Sequence, residues 1–150
     1  MKIIVMSIKE FKFYVKDLKD IKVIMSTSTE ERLDQVNDKL VLRYDDVLTG
    51  NTLTDEMAQK IVEYTDTVKD KTLYVLCDAG QSRSTAIAGA INLAYNFDDN
   101  MIWDNPKYSP NRLVYAKMLK AFDIPYTNTQ IDEKVKRNEL ALRKAINKTR

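Results

Sequence analysis

The stretch Leu73-Tyr74-Val75-Leu76-Cys77-Asp78-Ala79-Gly80-Gln81-Ser82-Arg83-Ser84 holds the only cysteine of the chain and places the parts of an oxyanion site around it. Leu73 to Cys77 is a nearly unbroken apolar run of strand type, and residues 83–95 read as a helix rich in Ala, Ile and Leu on every side. A short loop from strand to helix lets backbone N–H groups converge on one point. The free N–H groups and positive dipole end of the helix add to them, giving a site with the size and charge for a phosphate. Cys77 ends the strand beneath that point, in a field that favours thiolate over thiol and so makes a nucleophile. Arg83, at the first helical turn, brings a planar fork that grips two oxygens at once. Gly80 permits a backbone turn that a side chain would obstruct. Ser84 is in position to hydrogen-bond the sulfur and ease its departure as a leaving group.

Such a loop needs a rigid frame. Four short apolar runs read as strands: residues 3–6, 21–25, 40–44 and 73–77. The first and last lack polar alternation, the pattern of a parallel strand buried on both faces. Helical spacing appears over residues 8–18, with Ile8, Phe11, Val15 and Leu18 on one side. Thr54 caps a second helix, with Asp55 and Glu56 in its first turn and Met57, Ile61, Val62, Thr65 and Val68 as its buried stripe. The helix over 83–95 is the most buried, and Gly89 within it predicts a close backbone approach to a neighbour. Pro110 fits the first turn of a fourth helix through Leu113, Met118, Leu119 and Phe122. A last helix spans 129–147, with Ile131, Val135, Leu142 and Ile146 on one side. Strands alternating with helices predict an α/β fold: a central, mainly parallel sheet of four to five strands flanked by helices, in one domain over 1–150.

Composition removes much else. The chain has 150 residues, a net charge of +2, one cysteine and no histidine. Serine–histidine and cysteine–histidine catalysis are therefore excluded, with histidine bases and thiolate-rich zinc sites. The 44% hydrophobic content argues against disorder. No apolar run is long enough for a signal peptide or a membrane span, and the lone thiol suits a reducing compartment, so a soluble cytoplasmic protein without a membrane partner is expected. From Thr129 onward the charge is +4, against −2 for residues 1–128. Without interleaved aromatic residues that segment reads as a solvated helix face, and nucleic acid is not an expected partner.

Cys-x-x-Gly-x-x-Arg-Ser between strand and helix resembles the phosphate-binding loop of cysteine-dependent protein tyrosine phosphatases, above all the compact dual-specificity type. The likeness covers about residues 40–122. It implies a three-layer sandwich, a phosphocysteine intermediate and no metal or cofactor. Phosphate is held by the loop residues Asp78, Ala79, Gly80, Gln81, Ser82 and Arg83, and phosphate or sulfate is the ion expected there. The substrate is a phosphorylated protein or another phosphomonoester. The family's general acid lies about thirty residues before the cysteine, where this chain has both Asp45 and Asp46; the aromatic-Asp-Asp pattern of similar small phosphatases favours Asp46. Ser109-Pro110-Asn111 resembles the helix start that buttresses the loop, with Asn111 in a supporting role. The family usually has histidine before the cysteine, and Leu76 departs from this. Asp78, whose charge would oppose a thiolate, is expected to face outward, and Gln81 to face the mouth. Three other readings use the same loop: a phosphatase-like module that binds phosphate without cleaving it, an RNA 5′-phosphatase, and a sulfurtransferase or arsenate reductase. The last lacks the extra cysteines it needs.

Overall fold

Four parallel strands run side by side in the order β1-β4-β2-β3. They are β1 (Lys2–Ser7), β2 (Lys22–Thr27), β3 (Lys39–Arg43) and β4 (Thr72–Cys77). The computed structural model describes residues 1–17 and 19–149. The helices are α1 (Ile8–Tyr14), α2 (Asp55–Thr67), α3 (Arg83–Asn96), α4 (Asn100–Trp103), α5 (Arg112–Ala121) and α6 (Asn128–Lys148). The α/β sheet and its parallel pairing agree with the expectation from sequence.

The sheet sorts its side chains by alternation. Leu73 and Val75 of β4 join Ile24 of β2 in the larger core, beneath α3, α2 and α5. Leu76 turns to the opposite face with Val23 and Met25, where Ile8 and Phe11 of α1 and Leu33 and Val36 of the 28–38 segment cover it. The sandwich is thus lopsided, with most of its helices on one side. Because strand side chains alternate, Cys77 shares the face of Leu73 and Val75 and points toward α3. Leu76 is a packing residue of the other core, where burying a leucine contributes about 2 kcal/mol.

Several sequence expectations are corrected. β1 is an edge strand, and Ile3 to Met6 are only half-buried; Ile3 and Val5 pack against the larger core and Met6 against the smaller one, so both faces are covered in part. Helix α1 is closed at its start by a capping box between Ser7 and Glu10, but ends at Tyr14, where Val15 is already extended. Leu18 lies outside the described residues. Pro110 precedes α5 and lies outside its first turn, because Asn111 caps the helix by accepting from the Leu113 and Val114 amides. Gly89 is approached by the side chains of Tyr115 and Ile102, at 3.5 and 3.6 Å from where a Cβ would sit, and no neighbouring backbone comes close. Only Ile131 of the α6 stripe is buried; Leu142 and Ile146 are exposed, since the second half of the helix runs past the elements its first half packs on. The short α4 had no periodicity to announce it.

Candidate active site

All four strands point their carboxyl ends to one edge of the sheet, where ligands of open parallel sheets bind. The chain leaves β4 at Cys77, turns through 78–82, and enters α3 at Arg83. Gly80 takes φ +68°, and a Cβ there would meet the Ser7 amide nitrogen at 2.4 Å. The loop is therefore seated directly on the end of β1, which only glycine permits.

The amides of this loop are left free by its neighbours. The N–H groups of Ala79, Gly80, Gln81 and Ser82 donate to no acceptor among the described residues. The first α3 bond runs from Ala86 N–H to the Ser82 carbonyl, leaving the amides of Arg83, Ser84 and Thr85 without intrahelical partners. Ser82 stands at the cap position yet makes no side-chain cap; its hydroxyl donates to Asp46 Oδ1 at 2.8 Å instead. The loop's carbonyls point the other way. Gln81 C=O accepts from the Ser109 amide at 2.9 Å and from Thr85 Oγ1 at 2.6 Å, and Ser82 C=O accepts from the Asn111 amide at 3.1 Å. Carbonyls bound outward are what frees the amides to face the cradle. The Gln81 side chain is exposed.

Cys77 is 1% exposed, and its sulfur lies 3.1 Å from Ser84 Oγ. Arg83 turns inward and is 5% exposed. Its Nη1 donates to Ser28 Oγ and to the Tyr44 carbonyl, both at 2.8 Å, and its Nη2 to Asp78 Oδ2 at 2.8 Å. The Tyr44 ring lies 5.9 Å from the guanidinium carbon, and the Tyr44 hydroxyl is tied to Ser26 Oγ at 2.7 Å. Burial pushes that phenol up, so it stays neutral. The Nε of Arg83 is buried and has no hydrogen-bond partner among the described residues.

Asp78 is exposed, as expected, but its carboxylate is not left to solvent. Its carboxylate reaches across to Arg83 and to the end of β2, accepting also from Thr27 Oγ1 at 3.0 Å and the Ser28 amide at 3.2 Å. An arginine with donors to spare outweighs repulsion from a neighbouring sulfur. The two aspartates of the β3 loop separate clearly. Asp46, exposed at the rim, accepts from Ser82 Oγ and Asn111 Nδ2 on the same Oδ1, each at 2.8 Å. Asp45 turns into its own loop, toward Asn51. Asn111 thus caps α5, holds Asp46 and Val47 with its amide nitrogen, and ties the Ser82 carbonyl with its backbone.

Four aromatic residues flank the candidate mouth in sequence, and the structure divides them. Tyr44 and Trp103 are core residues, 1% exposed each. Phe97 ends α3 at the edge opposite the site. Tyr108, with an edge of Trp103, lines a cleft beside the loop, of about 890 Å³, with Glu10, Gln81, Asn138 and Leu142 among its walls. Sequence reading missed Ser28, which binds Arg83 and Asp78, and Asn138, which holds the 103–108 carbonyls; no periodicity or motif marks either. Among the described residues, no three His, Cys, Asp or Glu side chains cluster as a metal site would require.

No family model matches the chain, and no curated protein matches it. Among solved structures it is similar to the crystal structure of DUSP15, with a TM-score of 0.57, 15% identity, and coverage of 91% of this chain and 90% of that one. A PTPMT1 structure in complex with PI(5)P aligns over 96% and 94% of the two chains at 14% identity and a TM-score of 0.47. The fold is that of the compact dual-specificity phosphatases, as the loop sequence implied. At such identity the likeness concerns the fold alone.

Proposed function

We propose that the protein hydrolyses phosphate monoesters through a phosphocysteine formed on Cys77. The observation that carries this reading is the buried, unpartnered Nε–H of Arg83. A donor cut off from water costs about 1–3 kcal/mol unless something bonds it, and here it lies in a cradle whose amides are also unspent. Together they match the equatorial oxygens of a phosphoryl group.

In the first step the Cys77 thiolate attacks phosphorus in line, and the P–O bond to the leaving group breaks. Asp46 gives its proton to the departing oxygen. Both Ser82 and Asn111 donate to Oδ1 of Asp46, so the proton of the neutral acid belongs on Oδ2, the oxygen left to face the substrate. In the second step Asp46, now a carboxylate, takes a proton from water as that water attacks phosphorus. The S–P bond breaks, inorganic phosphate is released and the thiolate returns. Ser84, beside the sulfur, stabilises it as it leaves. Asp45 takes no part.

Cys77→Ser should abolish turnover of an aryl phosphate while phosphate binding persists, and acid-quenched wild-type enzyme should carry a phosphoryl group on sulfur. Unchanged turnover in Cys77→Ser defeats the proposal. Asp46→Ala should slow release of a poorly acidic phenol by about 10²–10³-fold and of an activated nitrophenol far less.

One feature favours a second reading, a module that binds phosphoryl groups without cleaving them. Cys77 is 1% exposed, and the residue before it is Leu76, bound into the opposite core. Phosphate binding with no acid-stable phosphoryl-sulfur adduct would select this reading.

A further inference from the structure

Arg83 is gripped by its own protein on two of its three nitrogens. A guanidinium has five N–H bonds. The contacts to Ser28, Tyr44 and Asp78 use three, leaving the Nε–H and one Nη2–H. The two Nη1 bonds already fix the plane of the group, one of them to the main chain of buried Tyr44. Asp78 is therefore not needed to keep Arg83 inside. Asp78 itself is held from the other side by Thr27 and Ser28. Partial burial works against its charge, but the donors from Arg83, Ser28 and Thr27 outweigh it, and its carboxyl stays below the usual range. The outcome is a fixed negative charge on the guanidinium that also offers its free edge to the cradle. It belongs to the residue next to the nucleophile.

We infer that Asp78 is a specificity-determining residue that weakens the cradle's hold on doubly charged oxyanions, by occupying Nη2 of Arg83 and setting a carboxylate beside the phosphoryl position. The inference rests on the reading of the loop as a phosphate site. The Asp78 side chain keeps 39% of its surface exposed, so water screens its charge in part, but a carboxylate bound to the same guanidinium still repels a bound anion, and each further negative charge on the ligand raises the penalty. The chemical class favoured is a singly charged phosphoryl group. Free phosphate, largely dianionic above pH 7, leaves readily. A side chain that only positioned Arg83 would do the reverse, since removing it would weaken binding.

The test is calorimetric titration of inorganic phosphate at fixed ionic strength and pH 7.5 into the full chain, Asp78→Asn, Asp78→Ser and Asp70→Asn. Asp70 is an exposed acid in the turn that leads into β4, at the opposite edge of the sheet. Asp78→Asn and Asp78→Ser should bind phosphate at least about tenfold more tightly, and Asp70→Asn should match the parent. A gain of affinity cannot arise from structural damage. Equal or weaker phosphate binding in both Asp78 variants, with thermal unfolding showing them folded, overturns the inference alone. No phosphate binding by any of the four chains overturns the phosphate-site reading beneath it, and the inference with it.

Discussion

At the scale of single residues, the site is a set of close fits. Gly80 is the sharpest. It combines a left-handed φ of +68° with a position where a Cβ would lie 2.4 Å from the Ser7 nitrogen. Gly80→Ala meets both penalties and should destabilise the fold by about 3 kcal/mol, with phosphate binding lost first because the loop must lift off β1. Denaturant unfolding beside phosphate titration checks it; a variant as stable as the parent contradicts the close approach. This residue was legible in the sequence as a turn glycine, because the spacing from Cys77 marked it. Its contact with β1 was not, since Ser7 lies 73 positions away. Asp78 shows the same limit. Its chain position suggested repulsion from Cys77, whereas its contacts are with Arg83, Thr27 and Ser28, whose placement depends on two other elements, α3 and the end of β2.

At the scale of elements, helix ends decide much of the shape. The caps at Ser7, Thr54, Asn111 and Thr127 each accept from an amide of the first helical turn. The end of α3 is less well made. Phe97 sits in the left-handed region at φ 63° and is 87% exposed, so it bears the strain without the compensation of burial. Phe97→Gly should raise stability by about 1 kcal/mol, read as a shift in thermal midpoint, with the site at the other end of α3 unaffected. A lower midpoint would show that the exposed ring contributes more than the strained backbone costs. Helix α6 bears on the site through Asn138 in its middle. Asn138 Nδ2 donates to the carbonyls of Trp103 and Tyr108 at 3.0 and 2.9 Å, and lies 3.4 Å from that of Asn105. It thereby holds the segment that carries Ser109 and Asn111 to the phosphate loop. Asn138→Ala should cost about 1–3 kcal/mol and lower the affinity for phosphate, although Asn138 lies far along the chain from the cradle. Unchanged affinity would show that the 104–111 segment keeps its shape unaided. The strands and long helices were readable from periodicity because each buries one side of a regular element. The apolar stripe of α6 misled, since a stripe predicts burial only where a partner exists to cover it, and Leu142 and Ile146 remain 47% exposed.

At the scale of the whole molecule, charge sets the pH range of stability. The Asp38 carboxyl is lowered by its hydrogen bond from Lys22, and that of Asp104 by Arg137. For Asp78 the pull of Arg83, Ser28 and Thr27 exceeds the opposing effect of burial. Each takes up a proton less readily folded than unfolded. Their stabilisation is thus complete well above the unfolded value of 3.8 and lost as pH falls through and below it. Burial raises the phenols of Tyr44, Tyr64 and Tyr115, with Asp38 adding to the effect on Tyr64 and Asp99 to that on Tyr115. Their contribution is present below the unfolded value of 10.0 and lost as pH rises beyond it. With no histidine in the chain, no imidazole limb interrupts the range between. The thermal midpoint should form a plateau across neutral pH with an acid fall below about pH 4 and an alkaline fall above about pH 10. Asp38→Asn should flatten the acid fall; a steep decline between pH 5 and 7 would contradict this assignment.

The outward-bound carbonyls of Gln81 and Ser82 have a further consequence, for the order in which the chain acquires its shape. Their donors come from Ser109 and Asn111, while Arg83 is fixed by Ser28 and Tyr44 and Gly80 rests on Ser7. Segments from the whole length of the polypeptide must have docked before the cradle exists. Such distant closures come late in folding, so a nascent chain released short of residue 111 would hold the sheet's strands but no receptor for an anion. A synthetic peptide spanning 73–96 would carry every motif residue and none of the recognition.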